Sequence, residues 1–328
     1  MQGEKILVTG PAGQIAFPLC RALAADNEVW GIARFGDEQS RHRVEEIGVT
    51  TRAVDLATGD YGDLPDDFTH VLHLATYQGA GLDYDHALEV NAVGTGLLLQ
   101  HCRRARAALV MSTASVYEPH PDPWHAYRED DPLGDSHSPY SPTYSVSKIA
   151  EEAVARTCAR MLQLPVVVAR MNSAYGANGG LPAYQLDWMA GGKEVTVRWD
   201  PCPYSVIHED DIAGQVEPLL AAASVPATIV NWGGDEAVSP HEWCAYMGEL
   251  LGVTPRMVVK EMPGTQRGAS FDVTKRLSIT GPCRVSWKDG FRRMVQARYP
   301  DGIPAGGMVD GQASKLLSAY EQPSSGDA

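Results

Sequence analysis

Lys5-Ile6-Leu7-Val8-Thr9-Gly10-Pro11-Ala12-Gly13-Gln14-Ile15-Ala16 decides how the chain folds. A short β-rich run ends at Thr9, two glycines follow with the spacing G-x-x-G-x-x-A, and a helical pattern opens behind them. Gly10 and Gly13 allow a tight turn and the close approach of a pyrophosphate to the amides of Gln14 and Ile15 at the helix start, where partial positive charge gathers. Ala16 stands where a third glycine would serve helix–strand packing, and a methyl group is tolerable there.

Working outward, strand-like runs at 6–9, 28–33, 51–54, 70–74, 107–111 and 166–170 alternate with helical stretches. Parallel neighbours need crossover helices, so this alternation predicts an α/β fold, a doubly wound parallel sheet of Rossmann type. Residues 1–170 read as the dinucleotide-binding domain, with 206–231 returning to it through a strand at 206–208, a helix at 211–223 and a strand at 228–231. The Gly/Pro-rich remainder, 171–205 and 232–300, reads as a smaller C-terminal substrate-binding region, and 301–328 as a weakly anchored tail with a short helix at 313–320. Ser239-Pro240 predicts a helix start, with the hydroxyl as N-cap and proline at the first position.

The second strand decides the cofactor. An acidic residue at its end would bind the ribose hydroxyls of NAD, but the sequence runs Gly31-Ile32-Ala33-Arg34, with Arg41 and Arg43 close behind. A cation at that point favours the 2′-phosphate of NADP, with NAD as the alternative.

Ser141-Pro142-Thr143-Tyr144-Ser145-Val146-Ser147-Lys148 opens a long helix. Residues four apart share a helix face, so the Tyr144 phenol and Lys148 ammonium can serve one site. A free tyrosine titrates near about 10, and a neighbouring ammonium favours the phenolate, which makes proton transfer feasible at neutral pH. Met111-Ser112-Thr113-Ala114-Ser115 follows the fifth strand, at the carboxyl ends of the strands where ligands of open parallel sheets bind. Ser112, Thr113 and Ser115 all compete to hold a substrate oxygen.

Together these motifs resemble the extended short-chain dehydrogenase/reductases, the NAD(P)-dependent epimerase/dehydratase family, over residues 4–300. Asp55-Leu56, His73-Leu74-Ala75, Asn91 before Gly94-Thr95, and Ile207-His208-Glu209-Asp210-Asp211 carry the likeness further. The resemblance implies that Thr113 polarises the substrate oxygen, Tyr144 moves its proton and Lys148 holds the nicotinamide ribose. It implies Asp55 near the adenine, Ala75 near the pyrophosphate or ribose, Asn91 supporting the helix that frames the site, and Asn172 in the substrate pocket. It also implies a homodimer built on two helices per subunit, one of them carrying Tyr144.

Family members that dehydrate or decarboxylate place acids where this chain has Ala114 and Ser115. Elimination beside a carbonyl needs an added acid and base, so epimerisation of a sugar nucleotide or simple carbonyl reduction fits better. Arg267, in Arg267-Gly268, resembles the family segment that meets a substrate diphosphate. A non-enzymatic NADP sensor is the reading from another class, and the Tyr144–Lys148 pair speaks against it.

Composition narrows the partners. A net charge of -14 over 328 residues offers no basic surface for nucleic acid or anionic membrane. No apolar run approaches the roughly 18 to 20 residues of a membrane span, and the first strand begins too early for a signal peptide, so a cytoplasmic protein is expected. The six cysteines lack metal-ligand spacing and no metal is expected. The aromatic and histidine cluster of His120, Trp124, His125, Tyr127 and His137 is expected as a loop over the pocket, while Tyr77, Tyr175 and Trp199 read chiefly as packing.

Overall fold

The computed structural model describes residues 1–134, 136–138 and 141–303. The expected helix at 313–320 and nearly all of the tail lie outside the described residues.

In chain order the elements are β1 (Lys5–Thr9), α1 (Ala16–Ala24), β2 (Glu28–Ala33), α2 (Glu38–Glu46), β3 (Thr50–Ala53), β4 (His70–His73), α3 (Tyr84–Leu88), α4 (Gly94–His101), β5 (Ala107–Thr113), α5 (Tyr144–Leu162) and β6 (Val166–Met171). There follow β7 (Ala174–Tyr175), α6 (Leu181–Ala190), β8 (Val195–Val197), β9 (Ile207–His208), α7 (Glu209–Ala221), β10 (Thr228–Trp232), α8 (Pro240–Leu251), β11 (Met257–Val259), α9 (Thr274–Thr280) and α10 (Trp287–Arg298).

Seven strands pair in parallel in the order β10-β6-β5-β4-β1-β2-β3. Side chains alternate across the sheet and both faces are buried. Ile6, Val8, Leu72 and Leu109 point to one side, where α1 and α7 contribute Leu19, Ile212 and Val216. Leu7, Val71, Ala108 and Val110 point to the other, against Leu98 and Leu99 of α4 and Ala155 and Ala159 of α5. Strands covered on both faces read as continuous apolar runs, which is why they stand out in the sequence.

The strand expected at 206–208 does not join this sheet. Ile207–His208 pairs with Ala174–Tyr175 as a separate two-stranded piece, because His208 turns at once into α7, whose first amides it caps through Nδ1 to Asp210 N (3.1 Å). Further on, β10 returns to the sheet beside β6. The C-terminal region has its own core of Leu186, Trp188, Trp243, Met247, Phe291 and Met294 on α6, α8 and α10. Ser239 starts α8 as a full capping box with Glu242.

Candidate active site

Strand order reverses between β2 and β4 on either side of β1, and the crevice at such a switch point is where open α/β sheets bind ligands. A cleft of about 1020 Å³ opens there. Gly10 follows β1 with φ +66°, and a Cβ at that position would stand 3.2 Å from Ala75 Cα, beyond the end of β4. Two strand ends can come this close only without a side chain between them. No side chain caps α1 and no acid sits in its first turn, so the amides and partial positive charge of the helix start stay uncompensated there. Gly10, Gly13, Gln14, Ile15 and Ala75 all line the cleft.

At the far end of the cleft lie Arg34, Asp37, Asp55 and Leu56. Asp37 spends its two carboxylate oxygens on the amides of Gln39 (3.0 Å) and Ser40 (3.1 Å), capping α2. Asp55 accepts from Ala57 N. Arg34 makes no hydrogen bond or ion pair with the described residues. Arg41 and Arg43 are taken elsewhere: Arg41 bonds Glu45 and Thr51, and Arg43 lies over the Phe17 ring at 3.8 Å and donates to Asn178.

At the other end Ser112, Thr113, Tyr144, Asn172 and Tyr77 line the wall. The three competing hydroxyls differ in their surroundings. Ser112 donates to the Glu152 carboxylate at 2.5 Å, and Ser115 is not among the lining residues. Thr113 Oγ1 accepts from Ser115 N at 3.2 Å, which leaves its own proton free for the cleft. Tyr144 is the first residue of α5, and its hydroxyl has no partner among the described residues. Asn172 ties the end of β6 to the C-terminal region by donating to the Ala269 carbonyl at 2.6 Å.

Lys148 lies beneath this wall rather than in it. Its side chain is 1% exposed, and the ammonium donates to the Met111 carbonyl (2.7 Å) and pairs with the buried Glu151. Glu151 belongs to a polar cluster at the carboxyl ends of β1 and β4. Thr9 Oγ1 accepts from the amides of Leu74 (3.0 Å) and Ala75 (2.9 Å), so its own proton goes to His73 Nδ1 at 2.9 Å. His73 Nε2–H is then left to donate to Thr95 Oγ1 at 2.7 Å, whose proton meets the Asn91 carbonyl. Burial and the nearby Lys148 ammonium hold the imidazole neutral, its pKa down to about 3. Burial outweighs the ammonium at Glu151 and pushes its carboxyl up to about 7.

Asn91 sits in a single π-helical turn, Glu89–Val93, and does not line the cleft. Its side chain accepts from Tyr77 N (2.7 Å) and donates to Tyr77 O and Ser147 Oγ, clamping the loop after β4 to α5. Such turns are frequent at functional sites.

Arg267 is exposed, outside the lining, with its guanidinium over the Trp199 ring at 4.6 Å. The aromatic and histidine cluster does not cover the cleft: Tyr127 exchanges backbone hydrogen bonds with Ser270 and Asp272, and His125 is held by Asp131 at 2.7 Å with His120 stacked upon it. Those anchors draw the segment onto the C-terminal region instead. Of the three aromatics read chiefly as packing, Tyr175 and Trp199 are buried and Tyr77 lines the cleft. Sequence reasoning missed Glu151. Its signal was present, since 148, 151, 152, 155 and 159 share one helix face and all are buried.

With this geometry in view, the model of the NAD dependent epimerase/dehydratase family matches residues 6–197, more than half of the chain. The chain belongs to that family. It is an NAD(P)-dependent enzyme of the short-chain dehydrogenase/reductase type. UDP-glucuronic acid 4-epimerase from Bacillus cereus, solved with UDP-glucuronic acid and NAD, is 24% identical, covering 89% of this chain and 98% of that one with a TM-score of 0.77. UDP-N-acetylglucosamine 4-epimerase from Methanobrevibacter ruminantium M1 is 17% identical over 90% and 98%, TM-score 0.75. DesIV, a dTDP-glucose 4,6-dehydratase from Streptomyces venezuelae with NAD bound, is 22% identical over 89% and 96%, TM-score 0.74. These likenesses show the family's fold across both of its regions. No curated protein matches the chain by sequence. Among the described residues no helix is long and apolar enough to cross a membrane.

Proposed function

We propose that this family member transfers a hydride reversibly at a secondary alcohol or ketone carbon, and that its substrate is a sugar nucleotide epimerised at C4. The observation that carries the reading is that Thr113 and Tyr144 line the same cleft as the glycine turn, with Lys148 directly beneath. Ala114 and Ser115, where an eliminating enzyme would hold an acid and base, provide neither. The known 4-epimerases of the same fold support the choice.

In this reading Thr113 donates its free proton to the substrate oxygen, and Tyr144 takes and returns the hydroxyl proton. Lys148, whose ammonium is turned down onto the Met111 carbonyl and Glu151, would have to swing into the cleft to hold the nicotinamide ribose, and Asn172 borders the substrate. Gly10, Gly13, Gln14 and Ile15 receive the pyrophosphate, Ala75 and Asn91 shape the wall beside it, and Asp55 and Leu56 meet the adenine. A bound nicotinamide supplies the hydride acceptor and donor. Arg34 receives a 2′-phosphate, which makes NADP the cofactor over NAD: it has no partner among the described residues, and the acid that follows, Asp37, is committed to capping α2. Arg267 would have to leave Trp199 to reach a substrate diphosphate. The exposed Val93 just before α4, Leu97 on α4 and Met161 on α5 suit a homodimer.

A second reading, NADPH-dependent reduction of a non-nucleotide carbonyl compound, is favoured by one observation. Arg34 is the sole lysine or arginine among the described lining residues, so nothing cationic faces the substrate end. Incubation with UDP- and dTDP-sugars, with and without NADPH, separates the two. The first reading expects an isomerised sugar; substrate-dependent loss of NADPH with no isomer would overturn it.

A further inference from the structure

Lys148 is a cation of the cleft that does not face the cleft. Its ammonium is held down by the Met111 carbonyl of β5 and by Glu151, three residues on along α5 and so on the same face. Glu151 is met by Lys148 and Glu152 on its own helix, by His73 of β4 at 3.5 Å and by Thr95 of α4 at 3.4 Å. His73, neutral between Thr9 and Thr95, adds no charge. The ammonium therefore has one countercharge in this core. When Glu151 is ionised the pair is neutral as a whole; when Glu151 is protonated the ammonium stands uncompensated, one turn along the helix from the Tyr144 phenol.

We propose that Glu151 is a positioning residue: its carboxylate pins the Lys148 ammonium beneath the cleft floor and cancels the positive potential which that ammonium projects onto the Tyr144 hydroxyl. Protonation of Glu151 releases the ammonium toward the cleft and favours the phenolate. Burial lifts the Glu151 carboxyl into the neutral range, so the coupling works at ordinary pH. This rests on reading Tyr144 as the proton-transfer group. The coupling itself is a property of the folded chain and is measured without substrate or nucleotide.

The test is a pH titration of the full chain carrying ¹³C at the tyrosine Cζ, with the Tyr144 resonance identified by its loss in Tyr144→Phe. In the wild type this resonance is expected to move in a step near neutral pH as Glu151 ionises, before the phenol itself titrates. Glu151→Gln should abolish the step and lower the phenol's own titration by on the order of one pH unit. Should the Gln variant fail to fold, Thr95→Val, which removes the hydroxyl 3.4 Å from the Glu151 carboxylate and the acceptor of His73, is expected to shift the step along the pH axis. A wild-type titration with no step near neutrality overturns the proposal, as does a step that neither substitution alters. A Glu151 that merely filled space would leave the Tyr144 titration unmoved. Loss of turnover in Tyr144→Phe is a separate result, so the coupling and the reaction can fail independently.

Discussion

Two glutamates stand side by side on α5, both buried, and they meet opposite fates. Glu152 receives Arg170 through Nε at 2.9 Å and Nη2 at 2.8 Å, along with the Ser112 hydroxyl, and Arg170 continues to Tyr117 and the Glu129 carbonyl. Its partner cannot lose a proton, and the fork geometry fixes both groups. Glu151 receives a lysine, a single mobile ammonium that is shared with a carbonyl. The first pair is a brace between α5, β5 and β6. The second has protons that can move, and it lies one helical turn from Tyr144. Burial alone does not make a charge pair structural; the number and fixity of its partners decide.

Breaking the brace should cost most. Glu152→Gln leaves a buried guanidinium that cannot neutralise itself, and urea unfolding should show a loss of about 3–5 kcal/mol. Replacing Glu152 and Arg170 together by apolar residues should recover much of it.

The second pair should show itself through pH. Glu151, its pKa raised to about 7, adds stability that is full below the ordinary carboxylate range and lost as pH rises through 7. His73, lowered to about 3, behaves oppositely: its contribution is present above the ordinary imidazole range and lost as pH falls. Between pH 5 and 6.5 the two slopes oppose. Glu151→Gln removes one of them, so on going from pH 6.5 to 5 the variant should lose about 2 kcal/mol more stability than the wild type. Equal losses would mean that the pair does not titrate there. Thr95→Val, which strips His73 of its acceptor, should cost about 1 kcal/mol. A similar figure for any exposed threonine would remove its meaning.

The sequence carried the sheet well because its strands are buried on both faces and each is followed by a crossover helix. Expected and observed bounds agree within a residue or two along β1 to β6, and the turn at Gly10 was legible because a positive φ favours glycine and so leaves a local mark. Choosing among Ser112, Thr113 and Ser115 was beyond spacing, since the choice depends on which hydroxyl Glu152 takes, 40 residues away. Glu151 escaped notice because a charge on a helix reads as solvated until its face is known to be buried. The segment holding His125 and Tyr127 was misplaced for a related reason: its anchors, Ser270 and Asp272, lie far along the chain.

The most direct trial of the account is Tyr144→Phe, which deletes one oxygen from the cleft wall. NADPH and NAD binding, followed by nicotinamide fluorescence and calorimetry, should stay within about twofold, while turnover of whichever UDP- or dTDP-sugar the wild type accepts should fall by about 10²–10⁴-fold. Undiminished turnover in that variant would contradict the assignment of the proton to Tyr144 and, with it, the reading of the cleft as this enzyme's active site.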